Sequence, residues 1–181
     1  MRHWRLFVLG VACFVLGAVV QSGFAQKKDS KKPAFSPDLL KGDAKAVATV
    51  MLDGALQLAE SGSWERIAVG RAWYLGGDKV KGQQIFDSVA GSKSVGRSDW
   101  IRLARVYIDA GEWEKAQTAF DKAFPPTSDD DTGLVEYGAF ANLNKDRAKA
   151  EALFNRAMKK NPEEFWHWVN IGGSYLGVRP Q

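Results

Sequence analysis

The chain is poor in the residues from which most catalytic and metal sites are built. Cys13 is the only cysteine, and His3 and His167 are the only histidines, in 181 residues. One thiol excludes an internal disulfide framework, and so few thiols and imidazoles exclude the Cys/His sets that hold structural zinc. Cys13 and His3 both fall in a segment that reads as a removable leader, so the mature chain is expected to keep no thiol and a single imidazole. No pair of carboxylates stands out as an acid and a base either. Glu112 and Glu114 flank Trp113, and Glu163 and Glu164 follow Pro162; each pair suits a helix start, where the dipole favours negative charge. The expectation is a protein without enzymatic activity, cofactor or metal.

What is present describes a globular chain. With 45% hydrophobic, 12% aromatic and 25% charged residues, it has the means to bury a core, and its length suits about one domain. Residues 1–25 have the order of a signal peptide: Arg2 and Arg5, an apolar run from Phe7 to Val20, then small residues ending at Ala25. An anchor helix fits less well, because the 14 apolar residues span about 21 Å of a hydrocarbon layer roughly 30 Å thick. Cleavage after Ala25 and a periplasmic or secreted location are expected. Residues 26–37, with Lys27, Lys28, Lys31 and Lys32, read as a solvated linker that can make weak contact with an anionic membrane surface. These two segments carry a charge of +5, more than the formal +4 of the whole chain, and leave residues 34–181 at −1. Nothing in that balance supports binding to nucleic acid.

The strongest signal is an internal repeat. Phe86, Phe120 and Phe154 are 34 residues apart, and so are Gly70, Ala104, Gly138 and Gly172. Gly77 and Gly111 share the shift, as do Gly82, Ala116 and Ala150, and then Val89, Ala123 and Ala157. A period of 34 belongs to arrays of helix pairs. Small residues let two helix backbones approach, the phenyl rings fill the space between pairs, and Gly77 and Gly111 end the first helix of their pairs, where positive φ is needed. Lys145 stands in that last column, so Asn144 is expected to take the left-handed position instead. Asp43–Ser61 also has a helical pattern. Shifted back by one period, Ala48, Leu52 and Ala55 align with Gly82, Phe86 and Val89, as in a worn second helix.

These columns resemble the tetratricopeptide repeat (TPR) family. The second repeat has Trp100, Leu103, Ala104, Tyr107, Gly111, Ala116, Phe120 and Ala123. The third has Leu134, Tyr137, Gly138, Ala150, Phe154, Ala157 and Pro162, and the last segment restores Trp168, Ile171, Gly172 and Tyr175. The first is more divergent, with Arg66, Val69, Gly70, Trp73, Gly77 and Phe86. The resemblance covers roughly residues 63–177. It implies an all-α solenoid of antiparallel helix pairs, about three repeats plus capping helices. Residues 38–62 then form an N-terminal capping helix or degenerate repeat, and residues 63–181 the repeat domain with an unpaired C-terminal helix.

The resemblance further implies that the first helix of each pair lines a concave binding face. Its positions correspond to Trp64, Ile67, Arg71, Tyr74 and Leu75, then Ser98, Ile101, Arg105, Ile108 and Asp109, then Thr132, Val135, Ala139, Asn142 and Leu143, with Trp166 and Val169 from the last helix. Trp64, Arg71, Tyr74, Ser98, Ile101, Arg105, Asp109, Asn142 and Trp166 are the candidate groove residues. An apolar strip bearing Arg71 and Arg105 suits an extended peptide or a helix with acidic groups. Ile67 and Arg71 replace the Lys and Asn of the family's cochaperone clamp, which argues against a cytosolic heat-shock adaptor. The expected function is an exported protein-binding scaffold or adaptor of the bacterial envelope. The alternative is a non-catalytic regulatory subunit of a cell-wall enzyme.

Three motifs suggest other chemistry and do not carry it. Gly91–Ser98 nearly spells a phosphate loop, but Arg97 stands where that loop needs Lys and a helix precedes it where a strand is required. Ser128–Asp131 lacks the spaced ligands of a calcium loop and suits a helix cap. His167 has no partner placed by the pattern to make it a base or ligand. In the last helix, Trp168, Ile171 and Tyr175 recur at helical spacing and are expected to face the preceding pair. Phe165, Trp166, Val169 and Leu176 are left over. They predict an apolar patch centred near Trp166 and covered by a second copy or a partner, the competing cover being the tail Val178–Gln181.

Overall fold

A computed structural model describes residues 33–181; the leader and most of the linker lie outside the described residues. The described chain is all-α. After a 3-10 turn at Pro37–Lys41 come α1 (Ala44–Ala59), α2 (Ser63–Leu75), α3 (Lys79–Ala90), α4 (Arg97–Asp109), α5 (Trp113–Ala123), α6 (Asp131–Leu143), α7 (Arg147–Lys160) and α8 (Phe165–Tyr175). Among the described residues, no helix is long and apolar enough to cross a membrane. None of their His, Cys, Asp and Glu residues form a cluster able to hold a metal ion.

Local signals set the helix boundaries. The Asp43 carboxylate accepts from the amides of Lys45 and Ala46 and starts α1. Asp78 and Asp146 do the same for α3 and α7, accepting from Lys81 and Lys149, and relieve N–H groups that the first turn leaves unpaired. Asp130 caps α6 through the amide of Gly133 at 2.9 Å, the role expected of that acidic run. Pro33, within the linker, lies against Gly54 of α1.

The helices pack as antiparallel neighbours: α2 with α3, α4 with α5, and α6 with α7. Each pair turns at the same register. The amides of Asp78, Glu112 and Asp146 reach back to the carbonyls of Trp73, Tyr107 and Ala141 at 2.8–2.9 Å, the longer bond of a Schellman ending. The residue before each has positive φ: Gly77 at 104°, Gly111 at 73° and Lys145 at 67°. Asn144, expected to go left-handed, has φ −92°. The pairing geometry decides the position of the turn, and Asn144 instead spends its side-chain amide on the Phe140 carbonyl at 2.8 Å.

The core follows the repeat columns. Phe86, Phe120 and Phe154 are 1%, 0% and 6% exposed. A Cβ placed on Gly70 would come 2.5 Å from Cε1 of Phe86, and one on Gly138 equally close to Cε1 of Phe154, so glycine is what admits each ring. Phe120 stacks on Tyr137 at 4.7 Å and on Phe140 at 5.9 Å, joining the second pair to the third. The last helix packs mainly on α6. Its buried side chains are His167 and Ser174, with Ile171 half-buried beside them. Trp168 and Tyr175, expected on that stripe, are 64% and 46% exposed. They sit a third of a turn away, toward α7, where a small polar stripe of His and Ser against α6 leaves them outside.

Candidate binding groove

Successive first helices place α2 beside α4, and a groove of about 280 Å³ opens between them. Its floor is apolar, with Ile67 and Val106 buried at 3% and 2%. Its walls carry Trp64 and Arg71 from α2, and Arg102, Arg105 and Asp109 from α4. One turn separates Trp64 from Ile67 and Ile67 from Arg71, so the three share the face of α2 that lines the groove.

Charge dominates the rim. The Arg102 guanidinium lies 3.6 Å from the centre of the Trp64 ring, a stacking that suits the planar, weakly hydrated arginine cation. Trp64 itself is 53% exposed. Arg71 pairs with one oxygen of Asp109 at 3.0 Å, and Arg179, from the chain after α8, pairs with the other at 3.0 Å. Arg105 grips Glu136 of α6 through two bonds of 2.7 and 2.8 Å, which raises its pKa above the usual arginine value. Four guanidiniums thus face two carboxylates. Arg102 forms no ion pair among the described residues, and its Nε is buried without a hydrogen-bond partner. A carboxylate entering this groove meets an excess of planar donors over an apolar floor.

The structure brings together Trp64, Arg71, Arg105 and Asp109 and places the other sequence candidates elsewhere. Tyr74 is a correction: it is 1% exposed and belongs to the core. Its ring lies 5.4 Å from Phe86 and 5.8 Å from Tyr107, and its hydroxyl donates to Glu112 while accepting from Lys115 at 2.8 Å. Glu112 also bonds Lys79, and the Lys79 ammonium, then Tyr74 and Lys115, hold its carboxyl well down at about 2. Ser98 is exposed in the first turn of α4, and Ile101 is half-buried against the core. Asn142 ties α6 to α8 by donating to Ser174 at 3.0 Å. Trp166, 50% exposed, packs edge-on against Phe165, outside the groove. Ile108, Val135 and Ala139 are buried, so these three pack between helices and do not reach a ligand.

Arg102, Glu136 and Arg179 were not among the sequence candidates. Arg102, Arg105 and Asp109 recur at spacings of three and four on α4, a signal that they share a face. Arg179 left no such signal, because it meets Asp109 across 70 residues of chain. His167 is 1% exposed, with Nδ1 3.3 Å from the Asn161 carbonyl, a structural position. No protein-family model, curated protein or solved structure matches the chain.

Proposed function

We propose that this chain is an exported, TPR-like scaffold that holds an acidic segment of a partner protein in the groove between α2 and α4. The observation that carries the reading is the Trp64–Arg102 stack beside Arg71 and Arg105, a rim of cations in excess of its carboxylates over a buried apolar floor. A large aromatic next to arginine is the usual composition of a binding hot spot. The TPR-like part of the reading is supported by the 34-residue recurrence of the turn geometry and of the Gly–Phe contacts. Export rests on residues 1–25 and bacterial envelope location on the style of that leader.

The test is photocrosslinking in the native cells from a reactive residue in place of Ala68, which is exposed and lines the groove, with Trp64 kept, compared with the same chain carrying Arg71→Ala and Arg105→Ala. A partner should be captured in the envelope fraction, and the double substitution should abolish capture while helicity is kept. Its binding should weaken with salt, as contacts between exposed charges do. Equal capture by the double variant would remove the groove from the reading.

A further inference from the structure

The last helix repeats, one period on, the columns through which α2, α4 and α6 receive their second helices, but on α8 those columns stand open. Trp73 and Tyr107 are each 8% exposed, whereas Tyr175 in the same column is 46% exposed; Leu134 is 3% exposed and its counterpart Trp168 is 64% exposed. Gly70 and Gly138 are pressed by the rings of Phe86 and Phe154, yet a Cβ on Gly172 would meet nothing within 4 Å. A groove of about 390 Å³ runs alongside, between α7 and α8, past Phe154, Asn155, Trp168 and Tyr175. The tail does not fill this seat. The chain turns at Gly177, with φ 81°, and carries Val178 onto Gly173 and Arg179 to Asp109.

The shape of the missing occupant is written three times in the same molecule. Each second helix presents a small residue, a phenyl ring four positions on and a small or branched residue three further: Gly82-Phe86-Val89, Ala116-Phe120-Ala123 and Ala150-Phe154-Ala157. At the other end, α1 presents Ala48-Leu52-Ala55 in that register. Leu52 and Ala55 pack on Val69, Trp73 and Ile85, as a second helix packs on the pair that follows it. The first position of that register is where a second helix meets its own first helix, as Gly82 meets the Gly70 carbonyl and Tyr74; on α1 no first helix among the described residues covers that end of the stripe, where Ala48 is exposed, or its edge, where Met51 is 41% exposed. Among the described residues, then, α8 has no second helix and α1 has no first.

Charge agrees with that fit. Within the array, lysines at the start of second helices reach aspartates on the preceding second helix, Lys81 to Asp53 at 2.7 Å and Lys149 to Asp121 at 3.1 Å. One period beyond Asp121 stands Asn155, and one period before Lys81 stands Val47. Both members of the pair are replaced together, so α1 laid against α8 strands neither an ammonium nor a carboxylate, which would be costly at a closed interface.

We infer that α1 of a second copy docks on α8, completing a helix pair between two molecules, so that the chain associates head to tail. The contact joins two different surfaces and leaves both outer ends open, so it propagates beyond a dimer. It is independent of what the α2–α4 groove binds.

Sedimentation equilibrium tests it on the exported protein, purified after expression of the full sequence so that the apolar run of the leader does not itself drive association. The parent protein should show a mass that rises with concentration past the dimer. Gly172→Leu should be monomeric, because its side chain occupies the seat, and Ala48→Arg should be monomeric, because it spoils the docking face. Mixed in equal amounts, the two should form a one-to-one dimer and nothing larger, since each retains the end that the other has lost; that rescue also shows both variants are folded. A parent protein monomeric at every concentration up to about 1 mM, where an association this weak carries only ~4 kcal/mol, would overturn the inference. So would continued dimerisation of Ala48→Arg, which would mean that α8 pairs with α8.

Discussion

Gly138 and Gly172 stand one period apart in matching helices and meet opposite surroundings. Around Gly138 the chain closes down, with Phe154 and the carbonyl of Ala150 against the position a side chain would need; around Gly172 there is open space. The same sequence column thus specifies a seat, while occupancy depends on what the rest of the molecule places there. Tyr137 and Ile171 make the same point: in one column, the first is 1% exposed and the second only half-buried. The interior pairs are held by filled seats, and α8 is held by its contact with α6.

The largest effect should come from emptying an interior seat. Phe120 is fully buried and stacks on Tyr137, Phe140 and Phe124, so Phe120→Ala should destabilise the chain by roughly 3–5 kcal/mol, combining lost burial with the cavity left behind. Phe165→Ala on α8, where the ring is 65% exposed, should stay within about 0.5 kcal/mol. Urea titrations followed by helicity give both numbers, and similar costs would erase the distinction between the regions.

Next comes the glycine pair itself. Gly138→Ala places a methyl 2.5 Å from the Phe154 ring and should cost about 1–3 kcal/mol through overpacking. In protein dilute enough to be monomeric, Gly172→Ala gains helix propensity without a clash and should stabilise by up to about 1 kcal/mol. Opposite signs in thermal melts are the expected outcome, and a loss at both positions would mean that the seat on α8 is already occupied.

How far these contrasts were legible in the sequence depends on which residues carried them. The Gly and Phe columns announced the pairs because a 34-residue period is a repeated geometric demand, and Asp130, Gly77 and Gly111 announced caps and turns through their own chemistry. Tyr74 was misread because its place in the repeat suggested a groove position, while its ring and hydroxyl find Phe86 and Glu112 on neighbouring helices. Arg71 and Arg105 could be read as cations on one face, but their partners Asp109 and Glu136 come from other helices. In α8 the large rings suggested the buried stripe, yet His167 and Ser174 are the residues that fit against α6. Periodicity identifies a face; it does not say which of two adjacent stripes a neighbour covers.

The charged cluster at Glu112 belongs to the interior pairs and offers a test with a defined pH window. Its carboxyl is held at about 2 against an ordinary value of 4.5, first by Lys79 and then by Tyr74 and Lys115. A depressed folded-state pKa contributes stability above the unfolded value, and that contribution is lost as pH falls from about 4.5 to about 2. With the Lys79 and Lys115 side chains more than half exposed, screening reduces the effect to the order of 1 kcal/mol. Glu112→Gln should therefore lower stability at pH 7 and flatten the acid limb between those values. An unchanged limb would show that the lysines do not hold the carboxylate in solution.

The smallest effect sharpens the comparison at the turns. Three helix pairs turn at one register, but only two have glycine there; Lys145 holds φ 67° with a full side chain. A left-handed conformation costs a non-glycine residue roughly 1–2 kcal/mol. Lys145→Gly removes that cost, but it also frees the unfolded chain, which takes back about 0.4–1 kcal/mol. The net gain should be a few tenths to about 1 kcal/mol, read as a higher denaturation midpoint with an unchanged slope. The same substitution at Asn144, where φ is −92°, has no strain to relieve and removes the side-chain bond to the Phe140 carbonyl, so Asn144→Gly should destabilise. If Lys145→Gly destabilised instead, the third turn would owe its geometry to the lysine side chain, and the shared register of the three pairs would not be sufficient to fix where each one turns.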